Sequence, residues 1–167
     1  MVIWLIGLSG SGKTYIAKKI YNKLKNKNNI FWIDGDDFRK NISYDLKYTL
    51  KDRKKNSKRI QDFSKYLEEQ TIVVIVSILS IFHEHQNENR KIYKKYVQIF
   101  VDGDEEKIIK RNNKEIYSRK KNVVGKDIKF IKPIKSDITI KNDFTRKIDL
   151  EIIKTIRYLN EKIKTNN

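Results

Sequence analysis

A glycine-rich segment near the start of the sequence has the composition of a phosphate-binding loop. The pattern G-x-x-x-x-G-K-[ST] is present as Gly7-Leu8-Ser9-Gly10-Ser11-Gly12-Lys13-Thr14, between the apolar run Val2–Ile6 and a stretch with helical spacing. Glycines allow backbone N–H groups to surround phosphates, and the following helix terminus adds partial positive charge. We expect Lys13 to contact the β- and γ-phosphates and the Thr14 hydroxyl to bind Mg²⁺. Residues 9 to 14 are therefore predicted to bind a nucleoside triphosphate.

Three carboxylates follow the next apolar run, Ile30–Ile33, in the segment Asp34-Gly35-Asp36-Asp37-Phe38-Arg39. Ligands of open α/β sheets bind at the carboxyl ends of the strands, so these carboxylates are expected beside the phosphate loop. One of them could accept the proton of an attacking hydroxyl, and another could order magnesium-bound water. The alternative interpretation is an aspartate that caps a helix next to a solvated turn.

Two arginines indicate an anion site in the same region. Arg39 follows the acidic segment, and Arg53 precedes Asn56 by one helical turn. A guanidinium group can bind a phosphate- or sulfate-like oxyanion through two parallel hydrogen bonds. A surface position remains the ordinary alternative for any single arginine.

Short apolar runs alternate with amphipathic stretches, which predicts a parallel sheet with helices on both faces. The predicted strands are Val2–Ile6, Ile30–Ile33, Thr71–Ser77, Val97–Val101 and Asp137–Ile140. The predicted helices are Lys13–Lys27, Asp52–Gln70, Gln86–Lys95, Asp104–Asn112 and Phe144–Lys164. The fold class is thus α/β, a three-layer αβα sandwich with a five-stranded parallel sheet, in one domain spanning residues 1–167. Residues 113–133 lack periodicity and are predicted to form a lid.

The composition excludes several classes of protein. The chain has no cysteine, which rules out disulfides, Cys-ligated zinc and thiol catalysis. Its 38 Lys and Arg against 21 Asp and Glu residues give a net charge of +17, but the basic residues are spread along the whole chain. That distribution favours a solvated basic surface, which attracts anions in general, rather than a continuous basic surface dedicated to nucleic acid. The apolar stretch Thr71–Phe82 is shorter than the ~20 residues of a membrane span, so the protein is predicted to be soluble, cytoplasmic and not membrane-bound.

Together, these motifs resemble the adenylyl-sulfate kinase family of P-loop kinases, which phosphorylate the ribose 3′-hydroxyl of adenosine 5′-phosphosulfate. The phosphate loop matches nearly letter for letter, and Asp34-Gly35-Asp36 with Arg39 resembles the family's D-G-D-N-x-R. The segment from Tyr48 to Asn56 follows F-S-x-x-D-R-x-x-N, and the segment from Arg111 to Tyr117 tracks R-D-P-K-G-L-Y. The likeness continues through Pro133 and Asp137 and covers almost the whole chain.

The resemblance implies a role for each matching residue. Asp36 would be the catalytic base or the carboxylate that orients the attacking hydroxyl, and Lys13 would act at the phosphates. Tyr48 would stack on the acceptor's base, while its anionic end would be held by three residues, Arg39, Arg53 and Asn56. Further contacts are implied for Asp34 and Ser80 with the acceptor, for Arg111 with ATP, and for Lys114 in the lid. The resemblance also implies ATP as donor, Mg²⁺ as cofactor, and a homodimer.

The departures from the family pattern fall on the acceptor side. Leu79-Ser80-Ile81-Phe82 replaces I-S-P-Y, and Val123 takes the place of the second aromatic residue that would sandwich adenine. Because one stacking partner contributes about 1–3 kcal/mol, valine in place of the aromatic residue should weaken binding of a purine base. We therefore expect a small nucleotide acceptor with an anionic tail, either adenylyl sulfate or a relative such as cytidine diphosphoramidate of capsule phosphoramidate biosynthesis. A pyrimidine base is smaller and would depend less on stacking against both of its faces.

Two other functions are left open by the sequence. The chain could be a polynucleotide kinase, which the net charge favours but the spacing of Arg39, Arg53 and Asn56 does not, or a non-catalytic module that binds nucleotides or nucleic acid. Ser80, at a strand end, is also typical of a turn or cap. His83 and His85 lie in a polar stretch and are expected in an exposed loop.

Overall fold

The computed structural model describes residues 1–111 and 122–164, without the side chains of Ile109 and Arg111. Strands and helices alternate along these ranges as the apolar pattern predicts, except that two helices separate the second and third strands. In chain order they are β1 (Val2–Ile6), α1 (Lys13–Leu24), β2 (Ile30–Asp34), α2 (Gly35–Asn41), α3 (Leu50–Glu69), β3 (Val73–Ile78), α4 (His83–Ile92), β4 (Tyr96–Gly103), α5 (Glu105–Arg111), β5 (Ile138–Asn142) and α6 (Ile148–Lys164).

The five strands form one parallel sheet in the order β2-β3-β1-β4-β5. β1 lies at its centre, with Val2 in register with Val74 of β3 and with Tyr96 of β4. Both β1 and β3 are buried along their whole length, which explains their nearly continuous apolar sequences. The phosphate loop therefore leaves the sheet from its central strand.

Successive side chains of β1 enter two separate cores, because neighbouring residues of a strand point to opposite faces. Ile3 and Leu5 pack with α1 and α6 on one face, whereas Trp4 and Ile6 pack with α2 and α3 on the other. The predicted three-layer αβα architecture and its five-stranded parallel sheet are confirmed.

Helix α2 was absent from the sequence prediction. It has seven residues and a single large apolar side chain, Phe38, so it carries too little periodicity to be recognised. Asp34 caps it by accepting a hydrogen bond from the backbone N–H of Asp36 at 3.0 Å. For Asp34, the capping alternative is therefore correct.

The prediction of two exposed loop histidines was wrong. Both lie on α4, which begins at His83, three residues earlier than expected. His85 is buried against α3, where its Nδ1 lies 3.0 Å from the Ser57 hydroxyl, and His83 Nε2 lies 3.0 Å from the Lys132 carbonyl. The buried polar side chains of α4, those of His85, Gln86 and Asn89, make hydrogen bonds to α3 and β4. Within the described ranges, no helix has the length and apolar character needed to cross a membrane.

Candidate active site

The phosphate loop is held between the ends of β4 and β5. A side chain at Gly7 would place its Cβ 2.5 Å from the Val101 carbonyl oxygen, so only glycine allows this approach. Gly12 has φ +98°, and a Cβ there would lie 2.6 Å from Asn142 Nδ2. That same Nδ2 donates to the Ser11 carbonyl at 2.9 Å. The end of β5 thus holds the loop in place, a role for Asn142 that the sequence analysis did not predict.

Lys13, the first residue of α1, is buried and turned back across the loop. Its ammonium group donates to the Leu8 carbonyl at 2.6 Å. Burial lowers the pKa of Lys13 to about 8, and the nearby carboxylates of Asp36 and Asp34 act in the opposite direction. The Ser11 hydroxyl beside it is buried without a hydrogen-bond partner among the described residues. A phosphate group bound in the cavity would be a suitable partner for the Lys13 ammonium, which lines it.

The two aspartates at the end of β2 differ in what their carboxylates contact. Asp34 accepts at one oxygen from the Asp36 N–H, and at the other from the Thr14 and Ser77 hydroxyls, each at 2.9 Å. Asp36 is exposed and lines the cavity, and its carboxylate has no hydrogen-bond partner in the described part of the chain. Asp34 is therefore fixed in place, whereas Asp36 is available to accept a proton.

Arg39, Arg53 and Tyr48 form one assembly across the cavity from the loop. The guanidinium carbons lie 5.0 Å (Arg39) and 5.4 Å (Arg53) from the centroid of the Tyr48 ring. Arg39 is buried and donates to the Lys47 carbonyl at 2.5 Å; burial lowers the pKa of Arg39, but a guanidinium keeps its charge. Arg53 donates to the Tyr48 carbonyl at 3.0 Å and to the Asn122 carbonyl at 3.1 Å. These bonds join α2, α3 and the segment after residue 121.

One cavity of about 560 Å³ brings most of the predicted site together. Val123, which is 5% exposed, forms part of its wall. Among the predicted residues, those that line it are Ser9, Gly10, Gly12, Lys13, Thr14, Asp34, Asp36, Arg39, Tyr48, Arg53 and Asn56.

Of the other four predicted residues, two lie away from the cavity wall, and the side chains of two are not among those described. Ser11 and Ser80 are buried and do not line the cavity. Arg111 ends α5, but its side chain is not among those described, and Lys114 lies outside the described residues. The part of the predicted lid that precedes residue 122 also lies outside them.

A second cavity, of about 430 Å³, adjoins the other side of the phosphate loop. Its walls come from the loop, from Tyr15 on α1, and from the chain between β5 and α6, including Phe144 and Arg146. This cavity is not predictable from the sequence, because the connection from β5 to α6 contains no recognisable motif.

The oxygen groups around the loop fit a magnesium ion. No cluster of three or more His, Asp or Glu side chains that could hold a metal occurs in the described ranges. Mg²⁺ does not need one, because it keeps several waters and binds one or two protein oxygens together with substrate phosphates. Thr14 Oγ1 and the Asp34 carboxylate, 2.9 Å apart, are hard oxygen donors of this kind.

The central strand of the parallel sheet ends in a phosphate loop, and this loop faces two arginines and the acidic first turn of α2. These features define a P-loop kinase. The chain belongs to the adenylylsulphate kinase family, whose sequence profile matches residues 1–141. The family expected from the motifs is thereby confirmed, and the chain is a kinase.

Individual relatives agree with this assignment. The chain is 37% identical over 163 residues to a cytidine diphosphoramidate kinase of Campylobacter jejuni, covering 92% of this chain and 95% of the relative. It is 34% identical over 146 residues to an adenylyl-sulfate kinase of Clostridium acetobutylicum, covering 83% and 73%. Among solved structures, it is similar to the APS kinase of Mycobacterium tuberculosis in complex with AMPPNP and APS, with a TM-score of 0.85, 26% identity, and coverage of 95% and 96%.

Proposed function

We propose that this protein transfers the γ-phosphoryl group of ATP to the ribose 3′-hydroxyl of cytidine diphosphoramidate. The observation that carries the choice of acceptor is Val123. It is buried in the cavity wall where the family resemblance implies an aromatic residue. Of the two aromatic side chains among the described residues that line this cavity, Tyr48 lies beside Arg39 and Arg53, whereas Tyr15 lies on α1 next to the phosphate loop. A single ring suits a pyrimidine better than a purine, and the similarity to the Campylobacter jejuni kinase supports the same choice.

In the proposed reaction, the 3′-oxygen attacks the γ-phosphorus of ATP. A bond forms between these two atoms, and the bond from the γ-phosphorus to its bridging oxygen breaks, releasing ADP. Asp36 accepts the hydroxyl proton, because its carboxylate lines the cavity without a hydrogen-bond partner in the described chain. Lys13 and the amino terminus of α1 offset the charge of the phosphates.

Arg39, Arg53 and Asn56 bind the anionic tail of the acceptor in this proposal, and Tyr48 stacks on its base. Thr14 and Asp34 would hold Mg²⁺, which would supply charge neutralisation at the phosphates. The second cavity takes the adenosine of ATP, since it opens on the opposite side of the phosphate loop from the acceptor groups.

The wider context is also part of the proposal. The chain works as one domain in the cytoplasm, as a homodimer, in capsule phosphoramidate biosynthesis. Residues 113–133 act as a lid over the acceptor. The described part of this segment supports a lid, because Val123 and Val124 line the cavity and Val124 packs against Leu8 of the phosphate loop.

The test is a kinase assay with ATP, Mg²⁺ and three acceptors in parallel. These are cytidine diphosphoramidate, adenylyl sulfate and a 5′-hydroxyl oligonucleotide, with the phosphorylated position read by NMR. We expect 3′-phosphorylation of cytidine diphosphoramidate, with kcat/KM at least about tenfold above that for adenylyl sulfate. Preference for adenylyl sulfate would overturn the cytosine assignment, and labelling of the oligonucleotide alone would make the protein a polynucleotide kinase.

A further inference from the structure

Two side chains of the sheet, those of Trp32 and Ser77, form a chain of two hydrogen bonds that ends at the carboxylate of Asp34. Ser77, near the end of β3, is in register with Asp34, the last residue of β2. Trp32 precedes Asp34 by two positions on β2, so the side chains of Trp32 and Asp34 point to the same face of the sheet. The Trp32 Nε1 lies 3.0 Å from Ser77 Oγ, and Ser77 Oγ lies 2.9 Å from Asp34 Oδ2.

The chemistry of the two groups fixes the direction of both hydrogen bonds. An indole N–H can only donate, so the Ser77 oxygen accepts from Trp32. The Ser77 hydroxyl has a single hydrogen, which it donates to Asp34. Ser77 is 3% exposed, so water offers little competition for either bond. Trp32 therefore determines the rotation of the Ser77 hydroxyl, and this hydroxyl in turn orients the Asp34 carboxylate.

The oriented carboxylate adjoins the oxygen that the phosphate loop offers to a cation. The same Asp34 Oδ2 accepts from the Thr14 hydroxyl at 2.9 Å, and Thr14, Asp34 and Ser77 all line the larger cavity. Mg²⁺ demands near-ideal octahedral geometry, so an oxygen group that can rotate away serves it less well than a fixed one. Groups that orient metal ligands typically contribute about 10- to 100-fold to metal affinity.

We propose that Ser77 and Trp32 are positioning residues for the magnesium site, with Trp32 acting through Ser77 to hold the Asp34 carboxylate in the orientation that serves Mg²⁺ beside Thr14. This inference rests on the proposed function, which places Mg²⁺ at Thr14 and Asp34. It adds a polar contact between β2 and β3 on which affinity for the metal depends, separately from affinity for the nucleotide.

The experiment measures metal affinity directly, with Mn²⁺ as a spectroscopic substitute for Mg²⁺. Protein in excess over a non-hydrolysable ATP analogue is titrated with Mn²⁺, and electron paramagnetic resonance counts the free ion. We expect Ser77→Ala to raise the Kd for Mn²⁺ at least about tenfold, and Trp32→Phe to raise it at least about threefold. Affinity for the analogue without metal should stay at the wild-type value, which a general distortion of the site would not allow.

A double variant tests whether Trp32 acts through Ser77. In the Ser77→Ala protein, Trp32→Phe should change the Kd for Mn²⁺ by no more than about twofold, because the hydroxyl that Trp32 orients is already absent. Circular dichroism verifies that each variant is folded. If Ser77→Ala does not fold, the Mn²⁺ affinity of Trp32→Phe decides the test.

Trp4→Phe is the matched control. Trp4 is the other tryptophan of the chain, and its buried indole N–H has no hydrogen-bond partner among the described residues. This variant should keep the wild-type Kd for Mn²⁺.

Three results would overturn the inference: an unchanged Kd for Mn²⁺ in folded Ser77→Ala or Trp32→Phe, an equal loss of affinity for the metal-free analogue, or additive effects in the double variant. Wild-type protein that binds no Mn²⁺ together with the analogue would instead overturn the magnesium site of the proposed function. A lack of phosphoryl transfer in the acceptor assay would overturn the proposed reaction and leave the metal measurement valid.

Discussion

Two aspartates that look equivalent in the sequence have different environments in the site. Asp34 uses both carboxylate oxygens to hold Thr14, Ser77 and the start of α2. Asp36, two residues later, faces the cavity without such bonds in the described chain. The Asp34 oxygens are occupied by protein donors, whereas the Asp36 carboxylate is open to a ligand in the cavity. The difference in contacts supports a positioning role for Asp34 and the proposed catalytic role for Asp36.

The first prediction concerns Asp36 itself. Asp36→Asn should lower kcat by about 10²- to 10⁴-fold, the usual contribution of a general base, and leave the melting temperature nearly unchanged because the side chain is exposed. Asp37→Asn is the matched control, since Asp37 is also exposed in the first turn of α2 but does not line the cavity. Comparable turnover in the two variants would remove the base assignment.

The second prediction follows from the pKa of about 8 for Lys13 in the free protein. A bound triphosphate favours the charged ammonium, so binding above pH 8 takes up a proton and affinity falls as pH rises. Between pH 7 and pH 9 we expect about a tenfold loss of affinity for an ATP analogue. Calorimetry in buffers of different ionisation enthalpy measures the proton uptake directly. Lys19→Met, an exposed position on the same helix, should behave as wild type, and binding without proton uptake at pH 8.5 would contradict the prediction.

At the scale of elements, β5 supports the phosphate loop that directly follows β1. The bond between them joins residues 131 positions apart in the sequence. Asn142, the last residue of β5, donates to the Ser11 carbonyl at 2.9 Å and accepts from the Phe144 N–H at 2.9 Å. It also fills the space next to Gly12. The position of the phosphate loop thus depends on an edge strand of the sheet.

The third prediction is that Asn142→Ala raises KM for ATP and leaves KM for the acceptor unchanged. Losing the bond leaves buried groups unpaired, which should also cost about 1–3 kcal/mol of unfolding free energy. Steady-state kinetics and urea denaturation measure the two effects. Lys141→Ala, on the exposed side of the same strand, is expected to change neither, and a parallel rise in both KM values would argue against a local effect on the loop.

Across the whole molecule, α3 and α4 pack through polar side chains rather than an apolar seam. His85 meets Ser57, and the Gln61 amide donates to Asn89 at 2.8 Å, in buried positions. Because α3 also contributes Arg53 and Asn56 to the cavity, this polar layer links the site to global stability. Burial lowers the pKa of His85 below its ordinary value.

The fourth prediction is an acid-sensitive stability. The unfolded chain binds a proton at His85 more readily than the folded one, so stability rises with pH in this range. The contribution of neutral His85 to the free energy of unfolding is complete above about pH 6.5. It is lost as the pH falls from there through the lowered pKa of the folded state. Urea denaturation at pH 7.5 and pH 5 should show a smaller pH effect in His85→Gln than in wild type. His83→Gln, on the same helix, separates the two histidines, and an undiminished pH effect in His85→Gln would refute the assignment.

Much of the fold and part of the site could be predicted from local patterns. All five strands appear within a few residues of their expected positions, and the phosphate-loop motif lies between a strand and a helix as its mechanism requires. These features are visible in the sequence because apolar alternation and glycine spacing are encoded by neighbouring residues. The short helix α2 is not visible in the sequence, because seven residues with one large apolar side chain show no helical periodicity.

The sequence by itself determined the family, the α/β architecture and the types of residue available for phosphoryl transfer. Only the tertiary structure decided which aspartate is engaged, that Asn142 holds the phosphate loop, that His85 is buried, and that Asn56 lines the acceptor cavity. Each of these depends on contacts between distant segments, such as the Ser11–Asn142 bond across 131 positions. A side chain acquires its burial and its hydrogen-bond partners only when the sheet assembles. These two properties determine how it can act, and the residue type alone does not specify them.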